Sequence, residues 1–585
     1  MRNSAPLLAR LALGVAWVGT LANSAHAGLP AAKRPIAPPR MVHPNLAPHA
    51  WITIGKETTY VTEPVLEDGY IDYLAALNAL ASADVTAENN AAVLLAQAID
   101  PASIDAGQRE RFYKVLGVEP PKKSDGLFSD SAAFLTNQGD KFAETIDTLV
   151  PWSPEKFPPR ARWLASHERA LDLAVEATRR SRCYFPMIRK PNAEMIMAVL
   201  YGVQPSMEIG RALVARALLR LHEGHIADAI KDLLACHRLA RLIGSGPLLL
   251  HGTVSRSIEI KACFADAALL QDDQLPAAEA LAYRDELEKL APQPSVADQF
   301  DHGERIMFLG FASELAQKQQ PELEGMMVDL GEALSPLADS ELIVDIYDMQ
   351  MTVVWNKGMR SANKEWDRWL AAIRTPITDW RPLRFEALET TARSILKQTP
   401  EGLGATTLEQ KGDWMGRMLA TRMLPNLKPD LVVEDRARMR VDLVLLGLAL
   451  AAYHADNGAY PETLAALTPR YCREVPPDRF TTKPLSYRRE DNGYALYSAG
   501  DNGLDDGGRA SNAQPPGDDI VISITAESQT RLPLVGTISP RQAKAALLAT
   551  GLALMATLAA VALLFVRASR ARKARLADAP KLPLD

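Results

Sequence analysis

Few side chains in this chain are spaced for covalent or metal chemistry. His222-Glu223-Gly224-His225 offers two imidazoles and a carboxylate. Zincin-type metal binding needs two histidines at i and i+4 on one helical face. Here the spacing is i+3, and Gly224 interrupts the helix, so the segment reads as a hairpin turn. His237 falls near the edge of an apolar helical face, where a satisfied, partly buried histidine is expected. Cys183, Cys236, Cys263 and Cys472 show no C-x-x-C spacing, which removes the basis for zinc or thioredoxin-like redox motifs. An exported location would permit a disulfide among them. Glu386 and Glu389, three apart on a helix, and Asp339 with Glu341 are candidate acid/base pairs, but the same spacing is common on a solvated surface. No nucleophile elbow, Walker loop or dinucleotide glycine pattern appears in context.

The elements that carry these residues are mostly helical. From Tyr70 onward helical patterns dominate, with helices expected at 161–180, 206–244 as a pair, 277–290, 302–318 and 342–373. In the pair, Ser206 is placed to cap the first helix. Ile209, Leu213, Ala217 and Leu221 repeat along one face, with Arg211, Arg216 and Arg220 largely opposite. The second helix buries Ile226, Ala229, Leu233, Cys236, Ala240 and Ile243, with Asp228, Lys231, Asp232, Arg238 and Arg241 mostly outward. The pair resembles one tetratricopeptide-type hairpin, without a repeat period around it. Such a hairpin must stack on neighbours to cover its apolar face. Trp51–Gly55 and Thr58–Thr62 read as short strands or extended arms. Pro425 to Pro429 marks the expected domain boundary.

The two ends address the chain. Met1-Arg2, an apolar run from Leu7 to Leu21 and Ala25-His26-Ala27 have the layout of a cleavable signal peptide, 1–27. A proline-rich linker follows at 28–50. Ala545–Val566 contains no charged residue. As a helix it rises about 33 Å, enough for a hydrocarbon core of roughly 30 Å. Arg567, Arg570, Arg572, Lys573 and Arg575 follow at once, which places the tail 567–585 in the cytoplasm. The expected location is the bacterial cell envelope, as a single-pass protein whose mass, periplasmic in type, lies outside the cytoplasm. The net charge is -6, and the exported part is more acidic still because both ends are basic. An acidic body excludes nucleic acid as the expected partner.

After Pro429 the pattern changes. Arg436–Tyr453 reads as a helix whose apolar stretch is too short, and too charged at Asp442, to span a membrane. Then come Tyr453-His-Ala-Asp-Asn457-Gly458-Ala-Tyr460-Pro461, Val475-Pro-Pro-Asp478-Arg-Phe480, Tyr494-Ala-Leu-Tyr497-Ser498-Ala-Gly500 and Asp518-Asp519-Ile520. In this order these residues resemble the globular domain of the type II secretion major pseudopilin. The resemblance covers roughly 436 to 524. It implies a helix packed on a small antiparallel sheet and a calcium-binding loop. Asp501, Asn502, Asp505, Asp506, Asp518 and Asp519 supply the hard oxygen donors that calcium takes. The ligand set the resemblance implies is Leu496 and Ser498 through backbone carbonyls, with Asn502, Asp505, Asp506 and Asp519. Asn502 stands where the family has an aspartate, and 509–517 lengthens the loop. A solvated Asp/Gly turn is the competing reading. Pseudopilins insert through an N-terminal hydrophobic helix, which is not found before Arg436, so pilin-like polymerisation is not expected. The whole chain also resembles large bacterial envelope proteins of this layout, a class that brings no assigned activity.

The fold class expected is therefore mainly α. A helical-hairpin, tetratricopeptide-like body (51–428) precedes a small α+β pseudopilin-like domain (429–525), a linker (526–544) and one C-terminal transmembrane helix (545–566). The function expected is a membrane-anchored scaffold or adaptor with an unidentified protein partner. The rivals are an envelope hydrolase using paired carboxylates and an accessory subunit of a secretion machine.

Overall fold

The computed structural model describes residues 50–122, 126–128, 149–190, 195, 198, 200–272, 274–317, 351–376, 381–396, 407–425, 427–491, 493–510 and 516–524. All belong to one compact unit, Leu29–Leu534. The signal peptide, nearly all of the proline-rich linker, the expected membrane span and the basic tail lie outside the described residues, as do Asp339 and Glu341. Among the described residues no helix is long and apolar enough to cross a membrane. The described chain is mainly helical, with a small three-stranded sheet.

The amino-terminal helices are α1 (Tyr73–Ala81), α2 (Ala91–Ala98), α3 (Ala106–Leu116), α4 (Pro158–Ser166) and α5 (Glu168–Ala177). Asp72, Asn90 and Asp105 cap the first three, each accepting a backbone N–H of the first turn. The single helix expected over 161–180 is broken at His167, whose ring nitrogen and backbone N–H both turn back to the Trp163 carbonyl. The segment before α1 forms no strand. Gly55 O accepts from the N–H groups of Thr58 and Thr59, which closes a turn, and the arm lies along a later helix through Asn356 and Asn363. Its threonines spend their hydroxyls on local carbonyls, a turn habit that overrides strand propensity.

The centre is three long helices, α6 (Val203–His222), α7 (Ile226–Gly244) and α8 (Leu249–Leu269), packed on one another. Between α6 and α7, Glu223-Gly224-His225 forms the expected hairpin turn, with Gly224 at φ +77°, a conformation in which a Cβ is strained. The start of α6 differs from expectation. It begins at Val203, not Ser206, because Gly202 adopts φ +90° and Pro205 sits in the first turn, where no N–H is required. Ser206 is buried inside the helix and donates to the Gly202 carbonyl at 2.7 Å.

Next come α9 (Ala277–Glu288) and α10 (Val296–Gln299), which runs through a π-helical turn, Phe300–Glu304, into α11 (Arg305–Gln317). A second core forms where α12 (Thr352–Ile373) meets α13 (Arg381–Ile395) and α14 (Leu408–Met423). Phe300 stacks on Trp366 in this core, at 4.3 Å between ring centroids. The α12–α14 crossing depends on glycine: a Cβ on Gly412 or Gly416 would collide with the backbone of Val354 or Gly358.

The last helix, α15 (Leu427–Asn457), is longer than the 436–453 expected. Pro429 lies in its first turn, where the missing N–H costs nothing, so the proline cluster starts the helix. One side of α15 packs on α8 and α9 and another on the sheet. The strands β1 (Ser486–Glu490), β2 (Gly493–Ser498) and β3 (Ile520–Ile524) pair antiparallel in the order β1-β2-β3. Central β2 is buried throughout.

Candidate functional site

The oxygen-rich loop joins β2 to β3. Antiparallel pairing of Ser498 with Ile520 closes its base. Glycines 500, 503, 507 and 508 all have positive φ, which folds the loop tightly enough to point backbone N–H groups inward. Asp478 fixes the exit from β2. Buried, it accepts from Phe480 N–H and Ala499 N–H, both at 2.8 Å.

The carboxylates of Asp506, Asp518 and Asp519 converge, with ligand oxygens all within 4.8 Å of one another. Asp519 is fully buried and accepts from Gly508 N–H at 2.7 Å and Asp506 N–H at 3.4 Å. Asp506 accepts from Asp518 N–H at 3.1 Å. Asp518 accepts from Asn502 N–H at 2.9 Å through Oδ2, and its buried Oδ1 has no donor among the described residues. Desolvation pushes the carboxyls of Asp518 and Asp519 above the usual range, while the Asp518 N–H holds that of Asp506 below it. Crowded acids with one oxygen lacking a donor match the chemistry of a hard divalent cation.

The other expected ligands are placed differently. Asn502 donates its side-chain amide to Asp506 at 3.4 Å, while its side-chain oxygen accepts from Leu504 N–H. Asp505 accepts from Gly507 N–H at 2.8 Å. Leu496 lies inside β2 opposite Tyr487 and Ile522, and Ser498 ends that strand, its hydroxyl accepting from Gly500 N–H. Asp501 pairs with Arg436 of α15 at 2.8 Å, and Arg436 also donates to the Asp518 carbonyl at 3.1 Å. Arg436 therefore ties the loop to the long helix. Sequence periodicity did not mark it, because its partners lie 65 and 82 residues away.

A second charged cluster lies inside the α6–α8 bundle. Arg216 and Asp232, expected on outward faces, are both buried. Arg216 makes a bidentate pair with Asp232, at 3.0 and 2.8 Å, and Arg220 adds a third bond at 2.6 Å. The helices pack through part of their polar faces, so a two-sided amphipathic reading misassigned these residues. His237 is satisfied as expected, but wholly buried. Its Nδ1 meets Glu259 Oε1 at 3.1 Å and its Nε2 meets Asp266 Oδ2 at 2.8 Å. Burial alone would lower its pKa, yet the two carboxylates outweigh burial and raise it to about 9. Arg241 pairs with Glu259 Oε2 at 2.6 Å, and the Tyr283 hydroxyl donates to Asp266 Oδ1 at 2.8 Å. The four cysteines are free thiols.

Of the acid/base candidates, Glu386 is exposed and Glu389 approaches Lys428 at 3.8 Å. Comparison of the chain with protein-family models, curated proteins and solved structures finds no match.

Proposed function

We propose that this protein is an exported, membrane-tethered scaffold, in which a helical body offers a protein-binding surface and a calcium-responsive, pseudopilin-like module stands between that body and the bilayer. The observation that carries this reading is the double role of α15. One side of the helix is buried against α8 and α9 and another against β2 and β3. Body and module therefore share one rigid spine. Arg436, Asp442 and Asp435 lie along it, with Arg436 reaching the loop and Asp442 paired to Arg479 of the module. From the end of β3 to the expected membrane span there are only the residues 525 to 544. Tethering raises the local concentration of a partner at the membrane without any catalytic step. Calcium at Asp506, Asp518 and Asp519 would neutralise the loop carboxylates and stiffen the membrane-proximal end of the spine.

Two measurements test the reading. Full-length protein should sediment with membranes, and its body should be cut by protease added to intact spheroplasts. A chain that is released on gentle lysis, or whose body is protected, overturns the tether. Calcium should raise the thermal midpoint of detergent-extracted protein, and Asp519→Asn should abolish that rise; no rise in the unmodified chain removes calcium from the proposal.

A further inference from the structure

We propose that His237, Glu259 and Cys263 form a buried zinc site at the heart of the α6–α8 bundle, independent of the acidic loop. The three ligand atoms lie within 4.8 Å of one another, and all three residues are buried. Glu259 and Cys263 are one helical turn apart on α8 and present one face to His237 on α7. Imidazole, carboxylate and thiolate are the donor types that zinc accepts, with metal–ligand distances of about 2.0–2.3 Å.

The neighbours are arranged as the outer shell of such a site. The Nε2 of His237 faces Asp266 at 2.8 Å, which leaves Nδ1 toward Glu259 and the ion. Asp266 is itself held by the Tyr283 hydroxyl. A carboxylate behind a ligating histidine fixes the tautomer and raises the basicity of the ligand nitrogen. Arg241 engages Glu259 through Oε2, so Oε1 remains on the His237 side. Cys236 is the neighbouring thiol, but it points at the Gly210 carbonyl and is not part of the set.

Charge balances in both states. Without metal, the His237 imidazolium and Arg241 face the Glu259 and Asp266 carboxylates, with Cys263 a neutral thiol. With metal, the divalent ion and Arg241 face Glu259, Asp266 and the Cys263 thiolate, with His237 neutral. The ion replaces one proton on Nδ1 and one on Sγ, and both leave to solvent. The exchange leaves the charge of the cluster unchanged, with Arg440, over the Phe264 ring, a further cation near Cys263 in both states. Because the ligands are enclosed, the site loads as the bundle folds.

The test is metal content of the full chain, extracted in detergent from cells grown with added zinc. About one zinc per chain is expected in the unmodified protein and in Asp519→Asn, falling to background in Cys263→Ala and His237→Gln. Cells grown with cobalt should yield protein with a thiolate-to-cobalt charge-transfer band that Cys263→Ala lacks. Cys263→Ala removes one buried sulfur, and an unchanged far-ultraviolet circular dichroism spectrum establishes that it folds, whatever His237→Gln does. Less than about a tenth of an ion per chain in the unmodified protein, or equal zinc in Cys263→Ala, overturns the site. Loss of zinc in Asp519→Asn with retention in Cys263→Ala assigns the ion to the loop and overturns it too.

Discussion

The β2–β3 loop and the α6–α8 core both gather carboxylates, and they neutralise them by opposite means. In the loop the donors are mostly backbone N–H groups, from Asn502, Asp506, Gly508 and Asp518. In the core they are cationic side chains, Arg216, Arg220, His237 and Arg241. Backbone amides carry no net charge, so they leave the carboxylates of the loop uncancelled, and one oxygen, Asp518 Oδ1, has no donor among the described residues. In the core, side-chain cations pair directly with the buried carboxylates. The difference explains why a hard cation suits the loop, whereas an ion can enter the core only in exchange for protons.

The largest expected effect breaks the core side of this contrast. Asp232→Ala leaves the buried Arg216 only the exposed Asp172 and takes one bond from Arg220, and loss of one partner of a buried ion pair costs up to about 3–5 kcal/mol. Chemical denaturation followed by circular dichroism should show the shift, and a cost below 1 kcal/mol would mean that water reaches the pair. Next is the acid response of a buried histidine in the core. His251 is buried, its Nδ1 accepts from Leu248 N–H, and burial lowers its pKa from 6.5 to about 4. The unfolded chain binds this proton first. The contribution is therefore complete above pH 6.5 and is lost as pH falls toward 4, on the order of 3 kcal/mol. His251→Asn should flatten the stability profile over that window; a profile as steep as that of the unmodified chain would clear His251.

Calcium sharpens the loop side. At about 100 times its dissociation constant a ligand that binds only the folded state stabilises by about 2.7 kcal/mol, and Asp519→Asn should remove that gain while leaving zinc in place. The smallest effect belongs to the link between regions. Arg436 and Asp501 are partly solvated, so Arg436→Met should cost less than about 1 kcal/mol without calcium. Hydrogen exchange should nonetheless rise in residues 499–510 and not in α7. A rise spread over both would mean that Arg436 holds α15 itself.

Local signals were legible where the causes were local. The turn at Gly224, the helical pair around it and the helix before the Tyr453–Pro461 segment follow from apolar spacing and one glycine. The ends of helices were less legible. Ser206 has the type of a cap, but Gly202 allowed the chain to turn a few residues earlier. In the loop, the carboxylates were visible as residue types. Which of them converge was not, because Asp506 is brought to Asp518 and Asp519 by the β2–β3 register and positive-φ glycines.

While the small sheet was implied by resemblance alone, the sequence by itself determined the helical character of most of the chain, the helix before the Tyr453–Pro461 segment and the presence of an oxygen-rich loop. Those features depend on spacing within a few residues. Only the tertiary structure decided that Arg216 and Asp232 face inward, that His237 lies between two carboxylates and beside Cys263, and that α15 packs on α8 and α9 as well as on the sheet. Periodicity reports that a helix has a polar side. Whether that side meets water or another helix's charges depends on the neighbour that packs against it, and a chain read in one dimension does not contain that neighbour.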